Sequence, residues 1–229
     1  MKQFWLYLFF PEVSFRKNVE ERRVSRGKII YCACMNALVP AIFLILGLII
    51  FFHPALKEDI QKRVTTTLPE EVDNYARYAP IPFVYGLQLA GIKPASSIVK
   101  RTGVIALTYI LSDFVVHRTK KATRSVRPNG EENSFPSQHT NQAFLGAAIL
   151  HNEYVGSCTA VSVLGYTCAA TVAVLRVARD RHWSSDVLVG AAVGMFTTNL
   201  VYLFVYSLAY RAVRGLWEKM KSLFRRQPV

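Results

Sequence analysis

From Ile29 to Phe52 the chain carries no charged residue, and Leu, Ile and Phe crowd the second half of the stretch. About 20 such residues match the hydrocarbon thickness of a bilayer, and only a helix can satisfy its own backbone there. This run therefore fixes the setting for everything after it. Five further apolar segments follow, at about Tyr78 to Gly91, Thr102 to Val116, Thr140 to Tyr154, Ser157 to Leu175 and Val187 to Tyr210. The expected fold is all-α and polytopic, with six transmembrane helices in one domain over 29–210. Several segments are short for a span, so their ends are loose by a few residues.

The charges fit the same setting. Hydrophobic residues make up 52% of the 229, yet the formal net charge is +13. A nucleic-acid binder spreads its cations through a soluble polar surface; here long apolar runs separate them, so no nucleic acid is expected as a partner. The partners expected are the bilayer and an anionic lipid, with no obligatory protein partner. Residues Phe4 to Phe10 are aromatic but too short to span. Pro11, Glu12, Arg16, Lys17, Arg22, Arg23, Arg26 and Lys28 then follow, where a cleavable signal would show small residues. Residues 1–28 read as an uncleaved interfacial helix on the inner leaflet, or as a disordered basic arm. Cys32, Cys34, Cys158 and Cys168 lie in apolar stretches and read as small hydrophobes.

Loop charge sets topology. The basic N-terminal arm, the loop holding Lys93, Lys100 and Arg101, and the 211–229 tail belong inside. His53-Pro54 ends the first span, and the 55–77 loop, with nearly balanced charges, belongs outside. Six spans satisfy all of these, and they place the 117–139 and 176–186 loops together on the outer side. Yet Arg118, Lys120, Lys121, Arg124 and Arg127 then break the positive-inside rule. Binding a phosphate would account for cations at that density.

Three pieces carry the chemistry. Lys120 and Arg127 flank a short segment stiffened by Pro128, and Arg176 closes the fifth span. Together they can neutralise a phosphoryl group, the arginines in fork geometry. Ser137 precedes an apolar helix, where a capping hydroxyl and free amides face an anion, although an ordinary capped helix looks the same. His182 and Asp186 are four apart, so on a helix they share a face. The carboxylate would accept the Nδ1 proton and leave Nε2 to attack, giving a phosphohistidine. His139 would protonate the leaving oxygen and then activate water. These groups are cations and imidazoles rather than clustered carboxylates, so no metal and no cofactor is expected.

The three pieces resemble the signature of the type 2 phosphatidic acid phosphatase superfamily: KxxxxxxRP, PSGH and SRxxxxxHxxxD. Lys120 to Pro128 matches the first motif. Pro136, Ser137 and His139 match the second, and Arg176, His182 and Asp186 the third. The resemblance implies a six-helix membrane fold with an outward site. It implies the same roles: His182, His139 and Asp186 catalytic, with Lys120, Arg127, Ser137 and Arg176 on phosphate. Soluble vanadium haloperoxidases share the signature, but the apolar spans argue against that branch. Gln138 stands where the motif has Gly, reshaping the phosphate pocket around it, and Leu175 where it has Ser.

Other polar residues have plainer readings. Asp113, inside the third span, either orients a cation of the site or lies near the interface. Arg179, Asp180 and Arg181 read as a solvated turn, either arginine being able to reach a second phosphate. His117 and Lys121 can meet headgroups, and His53 and His151 read as interfacial. Gly190 and Gly194 form a GxxxG suited to packing within the chain or to dimerisation.

The expectation is a metal-independent lipid phosphatase at the outer face of a bacterial inner membrane, similar to the lipid A phosphatases. Phosphatidylglycerophosphate and undecaprenyl pyrophosphate are alternative substrates. Transfer to a lipid hydroxyl is an alternative reaction, and a non-catalytic scaffold for anionic lipid an alternative class.

Overall fold

The computed structural model describes residues 26–65 and 72–224. The interfacial helix expected over 1–28 lies almost wholly outside them. All regular structure among the described residues is helical: α1 Arg26–Phe52, α2 Pro54–Val64, α3 Val72–Ala76, α4 Pro80–Leu89, α5 Ile98–Thr123, α6 Gln138–Tyr154, α7 Thr159–Ala178 and α8 Ser184–Phe224.

The 55–77 segment is not the loop expected of it. Pro54 at the first position of α2 starts a new helix, since its fixed φ suits that position and it has no N–H to satisfy. Asp59 and Arg63 pair one turn apart at 3.0 Å. The chain bends by 104° between Asn36–Phe52 and α2. At the other end α8 continues as helix to Phe224, through much of the expected tail.

Thr159–Ala178 and Ser184–Val205 are long and apolar enough to cross a membrane, and α1 with α2 qualifies as one bent pair. The remaining expected spans depart for two reasons. Helix α4 has ten residues, about 15 Å of rise. Helices α5 and α6 hold polar residues that face protein rather than lipid: Thr108, Ser112, Asn141 and Gln142 are buried. The outer surface is apolar in bands, with Ile45, Ile49, Ile110, Phe114, Leu164 and Leu203 all more than two-fifths exposed. Such bands are costly in water and natural against acyl chains. This is a membrane protein.

Helix α6 is the centre, buried from Thr140 to Leu150. α7 and α8 pack along it, α1 lies on α8, and α4 and α5 complete the surround. Two glycines of α8 allow the closest approach. A Cβ on Gly190 would stand 2.5 Å from the Ser137 carbonyl oxygen, and one on Gly194 2.4 Å from that of Asn141. The GxxxG thus faces α6 of the same chain, backbone against backbone.

Arg101 is also corrected. It does not sit in an exposed loop with Lys93; like Lys100 it lies in the first turn of α5, and it is fully buried. Its Nη1 lies 3.8 Å from Glu153 Oε2, neither side chain being exposed. Its Nη2 donates to Gln88, and Glu153 also accepts from Ser96 N and Oγ and from Tyr202 OH, at 2.7 to 3.0 Å. Arg101 and Lys120 stand at opposite ends of α5, about 28 Å apart at 1.5 Å per residue.

Candidate active site

The site lies where α5 ends, α6 begins and α7 turns into α8. Helix α5 stops at Arg124, whose left-handed φ of 47° closes the last turn onto the Lys120 carbonyl. That stop leaves Lys120 on the final turn, its Nζ donating to the carbonyls of Asn133 at 2.5 Å and Ser134 at 3.2 Å. Lys120 thus anchors the run leading into Ser137. Burial and the charge of Arg127 lower its ammonium to about 8. Arg127 pairs with the half-exposed Glu131, which also takes Arg181 at 3.0 Å.

Ser137 caps α6, its Oγ accepting from Thr140 N at 3.4 Å. Its own N–H donates to the Asp186 carbonyl at 2.9 Å, which stitches the start of α6 to the start of α8. Gln138 Nε2 donates to Asp113 Oδ1 at 3.1 Å. The side chain in place of the motif's glycine therefore reaches back to α5, and this partner is where the carboxylate in the third span goes.

His182 is buried. It precedes α8, while Asp186 lies in its first turn, so a turn and not a shared helix face brings the pair together. The separation is 3.4 Å between Nδ1 and Oδ2. The same carboxylate accepts from Trp183 N at 3.1 Å, from Ser185 Oγ at 3.2 Å and from Ser134 Oγ. Burial pushes His182 down to about 4, and the charges of Arg176 and Lys120 add to it, against the pull of Asp186. The imidazole is therefore neutral at pH 7, with Asp186 on Nδ1.

His139, at the start of α6, is pushed down to about 3 by burial and by Arg176, Arg77 and His182. Its Nε2 lies 2.9 Å from Asn74 Oδ1. Arg176, on the last turn of α7, donates from Nη1 to Asp73 Oδ2 at 2.9 Å, and Arg179 pairs with the other oxygen of that carboxylate. Burial disfavours the Asp73 anion, but the bond and charge of Arg176 outweigh it and hold the carboxyl below its ordinary range.

The pieces are cross-tied. Trp183 Nε1 donates to the Val126 carbonyl at 2.7 Å, and Asn129 N to that of Asp180 at 3.2 Å, joining the first motif to the third. Asp180 stands at φ 55°, tolerable for a short polar side chain, and its carboxylate accepts from Gln61 at 2.6 Å and Thr65 at 2.8 Å. The 179–181 turn is therefore not the solvated one expected. Arg179 is almost fully enclosed against Asp73, and Arg181 bridges to Glu131.

Sequence reasoning missed Asp73, Asn74, Ser134 and Glu131. Asp73 sat among near-balanced charges and read as solvated, and no spacing ties it to Arg176, 103 residues on. Chemically, the arrangement presents a neutral imidazole backed by a carboxylate, a second imidazole, and cations that suit an oxyanion.

Residues 101–210, holding all three motifs, match the family model described as the PAP2 superfamily. That segment belongs to the PAP2 superfamily. Over 152 residues the chain is 35% identical to a lipid A 1-phosphatase of Porphyromonas gingivalis. The aligned part is 66% of this chain but 34% of that relative, so the chain spans about a third of its length. Among solved structures, a PAP2-type phosphatidylglycerolphosphate phosphatase from Bacillus subtilis aligns with TM-score 0.52 and 21% identity, over 74% of this chain and 96% of that one. Aquifex aeolicus LpxE aligns with TM-score 0.50 and 19% identity, over 64% and 94%. At these identities the likeness is one of fold.

Proposed function

We propose that this chain is a membrane lipid phosphatase that removes a phosphate from a lipid A-type headgroup through a phosphohistidine. The observation that carries it is a buried, neutral His182, paired with Asp186 and lying under the charges of Lys120 and Arg176. The kinship with a lipid A 1-phosphatase supports the substrate class.

In this reading the phosphoryl oxygens take Lys120, Arg127, Arg176, Ser137 and the amides of the α6 start. His182 Nε2 attacks phosphorus in line, and the bond to the leaving oxygen breaks. Asp186 stabilises the proton that remains on Nδ1. His139 gives its proton to the leaving oxygen, then takes one from the water that splits the P–N bond. Burial and the nearby cations keep His139 neutral, and a bound dianion offsets Arg176 and Arg77 and so favours its charged, acidic form. No metal enters these steps in this reading, because the groups on the phosphate are cations and amides rather than clustered carboxylates.

The same reading places α1, α4, α5, α6, α7 and α8 in a bacterial inner membrane as the six expected segments, α4 being too short to cross it unaided. The loops at Lys120–His139 and Arg176–Asp186 then face the periplasm, where a headgroup reaches His182 while its acyl chains stay in lipid. Phosphate release by the purified protein in detergent tests it. Lipid A 1-phosphate, phosphatidylglycerophosphate and undecaprenyl pyrophosphate are compared, with and without EDTA. Turnover of lipid A phosphate in EDTA supports the reading. Loss of activity in EDTA with rescue by Mg²⁺, or no release from any of the three, would overturn it. An acceptor lipid in the assay separates hydrolysis from transfer to a hydroxyl.

A further inference from the structure

Outside the three motifs, two adjacent residues of α3 each meet one of the site's working groups. We propose that Asp73 and Asn74 are positioning residues, Asp73 setting the guanidinium of Arg176 and Asn74 the ring of His139 for a phosphate that neither touches. The inference rests on the phosphatase reading above.

The Asp73 side chain is wholly buried and lies between two arginines three residues apart at the end of α7. Without an anion between them, two enclosed guanidiniums repel and neither holds a fixed orientation. One carboxylate engages both. It meets Arg176 through Nη1, while the buried Nε of Arg176 has no hydrogen-bond partner. A guanidinium is a rigid planar fork, so fixing one edge orients the other. The edge left over is what a phosphate oxygen needs.

Glu131 provides the contrast. It also bridges two arginines, Arg127 and Arg181, but is half exposed and screened by water. An incoming phosphate can displace Glu131 at little cost; displacing Asp73 would strand a buried carboxylate. Asn74 extends the device by one residue, its Oδ1 2.9 Å from His139 Nε2. Helix α3 packs on α6 and α7, which carry the two groups it serves.

The test uses the full chain in detergent, with the lipid phosphate that wild type turns over best and inorganic phosphate as competitor. Asp73→Asn keeps the shape and removes the charge. It is expected to lower kcat about 100-fold and to weaken inhibition by inorganic phosphate, with Asp73→Glu recovering part of both. In an Arg176→Ala background the same change is expected to cost less than about threefold, because Asp73 acts through Arg176. Asn74→Ala, at an exposed position, is expected to lower kcat about tenfold with KM unchanged.

An Asp73→Asn protein with undiminished kcat, with tighter phosphate inhibition, or with a loss fully additive to Arg176→Ala would overturn the proposal. Tighter inhibition would mark Asp73 as a competitor of substrate instead. Should Asp73→Asn fail to fold, Asn74→Ala decides, and unchanged kcat there overturns it. If wild type releases no phosphate from any lipid, the functional reading falls by itself. Direct calorimetric binding of inorganic phosphate then tests the Asp73–Arg176 link, and equal affinity in Asp73→Asn would sink it.

Discussion

Arg101 and Arg176 are both buried arginines that meet a buried carboxylate, one near each end of the helices. At Arg101 the charges balance one to one, although its Nε and Nη1 have no hydrogen-bond partner. Glu153 takes Arg101, both donors of Ser96 and the hydroxyl of Tyr202, while Gln88 takes the other side of the guanidinium. At Arg176 the charges do not balance. Lys120, Arg127, Arg176, Arg179 and Arg181 share Asp73, Glu131, an Asp180 engaged by Gln61 and Thr65, and an Asp186 already engaged by His182, Ser134, Ser185 and Trp183. Burial of charge is common to both ends; surplus of charge is not. The balanced cluster braces helices, and the unbalanced one is complementary to an anion.

That contrast predicts opposite phenotypes. The largest effect is His182→Ala, expected to lower phosphate release at least about a thousand-fold with an unchanged unfolding midpoint; retained turnover would break the comparison at its functional end. Next is Glu153→Ala, which leaves Arg101 buried and unpaired. It is expected to cost about 3–5 kcal/mol of stability, read as a lowered Tm, while KM of the folded protein stays as it was.

Acid should weaken the fold at the site. His139 and His182 are held near 3 and 4, below the ordinary value of about 6.5 for an unfolded chain. Between pH 6.5 and 4 the unfolded state binds the extra protons, so stability falls as pH falls through that window. Asp73, held low, stays ionised there and does not contribute. A Tm several degrees lower at pH 5 than at pH 7 is expected, with the drop reduced in His139→Asn. A Tm indifferent to pH would refute the buried, neutral imidazoles. The smallest effect is Gln138→Gly, which restores the motif's residue and frees Asp113. Activity is expected to change less than about tenfold, as kcat/KM on the preferred lipid will show.

The all-helical architecture could be read from Ile29–Phe52 and the later apolar runs, because lipid allows little else. Candidate site residues could be named because Lys120, Arg127, His139, Arg176, His182 and Asp186 stand at motif spacing within short windows. What could not be read depends on distance along the chain. Asp73 and Arg176 become neighbours only when α3 docks on α7, and Arg101 meets Glu153 only when α5 and α6 pack. Polar α5 and α6 blurred the spans for the same reason: residues enclosed by protein are not selected for oiliness. Helix α2 was hidden by its mixed charges, which suit a surface helix as well as a loop.

The contact of Gly190 with the Ser137 carbonyl has a consequence for how the protein can vary. Ser137 touches α8 through its main chain on both sides, by its N–H to Asp186 and its oxygen against Gly190. The spacing between the second and third motifs is thus ruled by peptide groups, which every sequence has in common. Side chains on the acyl-chain face can drift to suit bilayers of different composition while that internal gauge keeps its setting.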